Sequence, residues 1–147
     1  MIKIGIIGLS EGNGHPYSFS AIINGYDKKF MAESGWKGIY EYLNLKDESD
    51  FLLGKAKITH VWTQSKAESE KISKATHIKN ICDNYEDMIG EVDAVIIARD
   101  DYKLHCEMAK PFLEAGLSVF VDKPLSVNKD ELKYFLPYLK TNKLMSC

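Results

Sequence analysis

Lys123 is the residue that type and context best equip for chemistry on a small molecule. It ends a short apolar run, Ser118-Val119-Phe120-Val121-Asp122, and is followed by Pro124. A strand there delivers an ammonium to the carboxyl end of a sheet, where open α/β sheets bind their ligands. An ammonium so placed can donate a hydrogen bond to a substrate oxygen, stabilise developing alkoxide charge and relay a proton. The plain alternative is a surface lysine beside a rigid proline turn. Asp122 and Pro124 belong to the same candidate site.

A second candidate follows the first apolar run, Ile2 to Ile7. Phosphate-binding loops use glycines to turn tightly, to admit the ligand to the backbone and to pack the next helix closely. Gly8 fits the first use. The next two places of the G-x-G-x-x-G spacing hold Ser10 and Asn13, while glycines stand at Gly12 and Gly14. The loop is therefore expected to be rearranged, yet still to offer N–H groups and a positive helix end to an anion. Otherwise these glycines only shape a tight loop. His15 opens the next helix within reach of a ligand, although capping or packing would serve it equally well.

Two further strand ends carry candidates. The run ending His60-Val61-Trp62 continues Thr63-Gln64-Ser65-Lys66 and has no carboxylate where an adenosine ribose is usually held. Thr63 is a candidate adenosine contact, and Ser65 with Lys66 leans toward a 2′-phosphate and hence NADP, unless Ser65 is only a helix cap and Lys66 a solvated first-turn residue. Arg99, after Val92 to Ala98, can meet a phosphate or substrate oxygen. Pairing with Asp100, Asp101 or Asp122 is its competing role. His105, on an apolar helix face, reads first as a core residue.

Strand and helix signals alternate, the pattern of a parallel sheet covered on both faces. Strands are expected at 2–7, 57–63, 79–82, 93–98 and 117–121. Helices are expected at 16–25, from Ser65 to about 75, from Asp83 to about 90, over 102–115 and from Asn128 onward. Capping-box spacing marks Ser65 with Glu68, Asp83 with Glu86, and Asn128 with Glu131. Pro111 and Pro137 interrupt the last two helices. The segment 27–55 is longer than a usual crossover, and Trp36, Ile39, Tyr40 and Leu43 sit at helical spacing within it. It reads as an inserted helical segment, either a packing lid over the sheet edge or a contact for substrate or partner. Residues 143–147 look like the start of a sixth strand cut at a domain boundary.

The ordered set Gly8, His105, Ala115-Gly116 and Lys123-Pro124 resembles the nucleotide-binding domain of the Gfo/Idh/MocA oxidoreductases. The family's usual Glu-Lys-Pro is here Asp122-Lys123-Pro124, and its Thr-Pro-Asn-like turn is here Arg99-Asp100-Asp101-Tyr102. Apart from 27–55 the likeness covers nearly the whole chain. It implies a doubly wound, Rossmann-like α/β domain over 1–147 with strand order 3-2-1-4-5, an NAD(P) cofactor, and Lys123 as anchor of a substrate hydroxyl or carbonyl. Gly8, Ser10, Gly12, Asn13, Gly14, His15, Thr63, Ser65, Lys66, Arg99, Asp122 and Pro124 become the cofactor-site candidates. The resemblance further implies a sugar, cyclitol or sugar-derived substrate, and a second domain facing the nicotinamide that this chain does not contain and through which oligomers would form. The chain alone is thus expected to be catalytically incomplete. A free-standing or degenerate Rossmann domain that senses NAD(P) or holds a partner is the competing reading.

Bulk properties narrow the remaining classes. With 147 residues and a net charge of −2, the chain is long enough for one core and carries no broad basic field for nucleic acid or an anionic membrane. Its three cysteines lack metal or disulfide spacing, which suits a reducing compartment and argues against a metal site. No signal peptide or bilayer-length apolar run is apparent, so the expected location is cytoplasmic.

Overall fold

The computed structural model describes residues 1–52 and 54–147. Among these residues six parallel strands form one sheet in the order β3-β2-β1-β4-β5-β6. They are β1 (Ile2–Ile7), β2 (Ala56–Trp62), β3 (Asn80–Ile81), β4 (Ala94–Ile97), β5 (Ser118–Val121) and β6 (Leu144–Ser146). The first five follow the expected order. The sixth, expected only as a beginning, pairs with β5 through Val119↔Leu144, Phe120↔Met145 and Val121↔Ser146.

Among the described residues six α-helices flank the sheet: α1 (His15–Asn24), α2 (Lys28–Ala32), α3 (Lys37–Asn44), α4 (Lys66–Thr76), α5 (His105–Glu114) and α6 (Lys129–Lys140). Pro16 stands in the first turn of α1, whose missing N–H would be unpaired anyway. Gly25, at φ 75°, closes that helix and donates its N–H to the Ala21 carbonyl. Asn128 caps α6 by accepting from the Asp130 and Glu131 N–H groups. Helices α5 and α6 both run through their prolines.

Three local expectations need correction. Ser65 is the residue before α4, but its side chain makes no cap bond. The reason lies in Thr63, whose hydroxyl donates to the Ser65 carbonyl at 2.7 Å, so a threonine side chain organises this turn. The second capping box is built by Asn84 and Asp87 rather than Asp83 and Glu86, and it opens a 3₁₀ turn over Tyr85–Met88. The insertion carries α2 in addition to α3. Asp27 caps α2 through the Phe30 N–H, a local signal that the aromatic periodicity of 36–43 overshadowed. Leu53 of that segment lies outside the described residues.

Alternation along the strands divides the core. Ile6, Ile58 and Val61 face one side, with Tyr17 and Ala21 of α1, Met31 of α2, Leu43 of α3 and Ile72 of α4. Ile7, Val95, Ile97, Val119 and Val121 face the other, with Met108 and Phe112 of α5 and Phe135 of α6. The insertion is thus part of the core, packed on α1 and α4, rather than a lid over the sheet edge. On its side of the sheet, helices stop short of β4–β6. An apolar groove of about 430 Å³ remains there, lined by Ile96, Phe120 and Met145 with Phe19 and Ile22.

Candidate functional site

The loop after β1 is shaped by three separate contacts. Gly8, at φ +83°, donates its N–H to the Trp62 carbonyl at 2.7 Å, and any Cβ there would stand 2.4 Å from Arg99 Cδ. Both conformation and space therefore require glycine. Gln64 holds Leu9 reciprocally, accepting its N–H at 3.1 Å and donating Nε2–H to its carbonyl at 2.6 Å. Beyond that clamp the chain turns through Ser10-Glu11-Gly12-Asn13, closed by an Asn13 N–H to Ser10 carbonyl bond of 3.1 Å. Gly12 supplies the positive φ of +77° that such a turn needs at its third residue.

Asp122 forms the buried centre of the site. Its Oδ2 accepts from Asn13 Nδ2 at 2.9 Å and lies 2.5 Å from His15 Nδ1, while its Oδ1 accepts the Lys123 N–H at 2.9 Å. Burial alone would raise this carboxyl. The hydrogen bonds from Asn13, His15 and the Lys123 backbone outweigh it and hold the group below the ordinary carboxylate range. Asn13 uses both ends of its amide, since its Oδ1 also accepts the His15 N–H at 2.9 Å. The polar residues in the third fingerprint place and before Lys123 are therefore a matched pair 109 positions apart.

Lys123 stands at the mouth of the same site, about half exposed, with Nζ 3.4 Å from Asp100 Oδ2. Ser10 ties that aspartate to the glycine loop, donating its hydroxyl to Oδ1 at 2.6 Å and accepting the Asp100 N–H at 3.0 Å. The Ser10 hydrogen bond is the main reason the Asp100 carboxyl is held low; partial burial opposes it and Lys123 assists. Arg99 does not face a ligand: its buried guanidinium pairs two-pronged with Asp101 and touches Met108 Sδ. His105 is fully buried, with Nδ1 2.8 Å from the Pro124 carbonyl oxygen and Nε2 2.7 Å from that of Arg99. It ties the ends of β4 and β5 together, and Pro124 contributes this carbonyl.

These residues open on a cleft of about 620 Å³ lined by Gly12, Asn13, His15, Asp100 and Lys123 on one wall and by 35–39 of the insertion on the other. Trp36 and Ile39 press on Gly14 so closely that a Cβ would lie 2.6 Å from Trp36 Cε3 and 2.4 Å from Ile39 Cδ1. Gly14 itself has an ordinary φ of −91°, so its requirement is steric. Gly14→Ala is expected to destabilise the fold by about 1–3 kcal/mol through overpacking. Urea unfolding checks this, and in a background that carries both Trp36→Ala and Ile39→Ala, which removes the two contacts, Gly14→Ala should cost little.

The corner after β2 lies apart from Lys123 in its bonding. Thr63 is buried, its N–H held by Ser69 and its hydroxyl by the Ser65 carbonyl. Its hydroxyl is therefore committed internally rather than held out to an adenosine. Ser65 is exposed. Lys66 Nζ pairs with Asp83 Oδ1 at 3.1 Å, both side chains well exposed. Asp83, which follows β3, is thus the carboxylate that stands beside this corner.

The donor set is the test of whether an anionic cofactor fits. At the start of α1 nothing is spare: the His15 N–H is taken by Asn13, Pro16 has none, and the Tyr17 and Ser18 N–H groups reach the Gly14 carbonyl. The Ser10 amide faces the Asn13 carbonyl across an antiparallel bridge, whereas the amides of Glu11, Gly12 and Gly14 have no acceptor among the described residues. No side chain or backbone crowds Gly12. Three unpaired donors in one loop, those of Glu11 and Gly12 at its exposed tip, suit a pyrophosphate, and they move the anion site from the helix end to the loop. Among the described residues no three His, Cys, Asp or Glu side chains could hold a metal ion together, and no helix is long and apolar enough to cross a membrane.

The family model of oxidoreductases with an NAD-binding Rossmann fold, Gfo/Idh/MocA, matches residues 2–146. The chain belongs to this family. Several solved structures share its fold at low identity. Apo scyllo-inositol dehydrogenase from Lactobacillus casei superposes with a TM-score of 0.65 at 18% identity, over 99% of this chain and 36% of that one. Myo-inositol 2-dehydrogenase from Lactobacillus plantarum gives 0.65 at 20%, over 99% and 36%. UDP-N-acetylglucosamine 3-dehydrogenase from Acidithiobacillus ferrooxidans gives 0.63 at 16%, over 99% and 37%. The chain thus spans little more than a third of the length of these proteins. No protein of curated function matches it by sequence. Within a Gfo/Idh/MocA nucleotide-binding domain, the elements that sequence reading missed are Gln64, Asp83, Asp100 and the Trp36–Ile39 wall. All but the wall follow strand ends, a position that marks ligand chemistry in such sheets.

Proposed function

We propose that this domain is the cofactor-binding half of an NAD(P)-dependent oxidoreductase that transfers a hydride to or from a sugar, cyclitol or sugar-derived substrate. The observation that carries this reading is the turn Ser10–Gly14, whose amides at Glu11, Gly12 and Gly14 are free of acceptors among the described residues and whose residues 12–14 line the cleft that also holds Lys123. The pyrophosphate is held by those amides. The nicotinamide supplies the hydride acceptor or donor when bound. Lys123 donates to the substrate oxygen, and Asp100 keeps its ammonium over the cleft. Asp122 fixes the Lys123 backbone and the Asn13 side chain, and so holds the loop and the lysine in one register. The substrate class is supported by the family and by the inositol and sugar-nucleotide dehydrogenases among the similar structures.

Charge does little of the binding. Asp100, Asp101 and Asp122 face Arg99 and Lys123, a formal balance of −1 with His15 neutral, so affinity rests on amide donors. The lean toward NADP rested on Ser65 and Lys66, and Asp83 neutralises Lys66. We therefore infer an NAD(P) site without a built 2′-phosphate subsite. Titrating NADH and NADPH by nicotinamide fluorescence tests both statements. Saturable binding is expected, with little dependence on salt and no marked preference for NADPH. Absence of binding by either at about 1 mM, equivalent to only about 4 kcal/mol, would sink the dinucleotide reading. Strong NADPH selectivity would restore Lys66 as a phosphate ligand.

A further inference from the structure

Oxidation of an alcohol releases one proton as the hydride leaves, and an ammonium has no lone pair with which to take it. Lys123 can anchor the oxygen and relay that proton, but as an ammonium it needs a second group to receive it. His15 is the side chain of the cleft built for this. Its ring stacks on Phe19 with centroids 4.8 Å apart, and Nδ1 lies 2.5 Å from Asp122 Oδ2. Asp122 is fully buried, and its two oxygens are held by Asn13 and the Lys123 N–H. The carboxylate therefore cannot turn away from the ring. A carboxylate only accepts, so the hydrogen of a neutral ring sits on Nδ1 and the lone pair on Nε2. No residue among those described bonds Nε2, and the His15 side chain is 36% exposed on the cleft that Lys123 lines. His105 is the contrast within the same molecule: buried, with both nitrogens on carbonyl oxygens.

We propose that His15 is the proton-exchanging catalytic residue of this site and that Asp122 is its positioning residue, a proposal that rests on the hydride-transfer reading above. In the oxidative direction the substrate O–H bond breaks and its proton goes to His15 Nε2. The C–H electron pair leaves as hydride to an oxidised nicotinamide, and the C=O bond forms. The imidazolium returns its proton to water. In reduction the same nitrogen gives the proton back.

Two measurements on the whole chain test this. Ring-nitrogen NMR, with His15 assigned by His15→Gln, reads the tautomer at about pH 8.5, above the usual imidazole value of about 6.5. The hydrogen is expected on Nδ1, and Asp122→Asn should remove that preference. The wild-type spectrum decides even if Asp122→Asn does not fold. The second measurement is the rate at which diethyl pyrocarbonate acylates His15, read by mass spectrometry with and without saturating NADH, with exposed His77 as internal control. NADH is expected to slow His15 several-fold and leave His77 unchanged. A neutral ring carrying its hydrogen on Nε2, or NADH that binds without protecting His15, would overturn the proposal while leaving the dinucleotide reading intact. Failure of NADH to bind at all would remove both.

Discussion

Replacing Lys123 by methionine is expected to lower kcat/KM by about 10²-fold or more, with the Kd for NADH essentially unchanged. The side chain is about half exposed and leans on Asp100 at 3.4 Å, a pair too solvated to contribute much to folding. Its removal should therefore leave the fold alone. What is lost is a positive donor over the cleft, needed more in the transition state than in the ground state, so the loss should appear in kcat rather than in cofactor affinity. The comparison belongs in the longest form of the protein that turns over a sugar or cyclitol. Unaltered kcat/KM in that form would end the catalytic assignment of Lys123.

Asp122→Ala should instead damage the fold and the site together. It strips the acceptor from Asn13 Nδ2, His15 Nδ1 and the Lys123 N–H at once. The buried Asn13 amide alone should cost about 1–3 kcal/mol when left unsatisfied, a drop of several degrees in Tm. Asp122→Asn keeps the shape and should cost less. The pH dependence has a defined sign. Because the folded carboxyl is held below the ordinary value of about 3.9, the unfolded chain takes up this proton first as pH falls. The stabilisation is fully present above about pH 4 and disappears as pH falls through the lower folded value. Asp100, also held low, acts in the same direction. Chemical unfolding across pH 3–6 should thus show wild type losing stability on the acid side and Asp122→Asn losing less of it.

The fold was legible because its signals are local. Apolar runs such as Ile2 to Ile7, and punctuation such as Pro16, Gly25 and Gly116, specify elements whatever lies around them, and strand–helix alternation then leaves few topologies. The site was legible by position but not by partner. Ser10, Asn13, His15 and Lys123 do converge through Asp100 and Asp122, yet sequence gives no way to see that Asn13 meets Asp122 or that Ser10 meets Asp100, since each pair closes only when β1, β4 and β5 lie side by side. The same reason hid Trp36 and Ile39 against Gly14: their helical spacing announces an amphipathic segment, and only packing says what it covers. Ser65 was misread because a Ser-x-x-Glu spacing is a weak signal that a neighbouring Thr63 hydroxyl overrides.

The central claim is that a dinucleotide sits on the Ser10–Gly14 turn beside Lys123, and backbone amide NMR during an NADH titration tests it most directly. Saturable shifts are expected at the amides of Glu11, Gly12 and Gly14 and at Lys123, with Tyr17 and Ser18 of the first turn of α1 moving less because their N–H groups are already bonded. Shifts confined to other parts of the surface, or none at about 1 mM NADH, would contradict it.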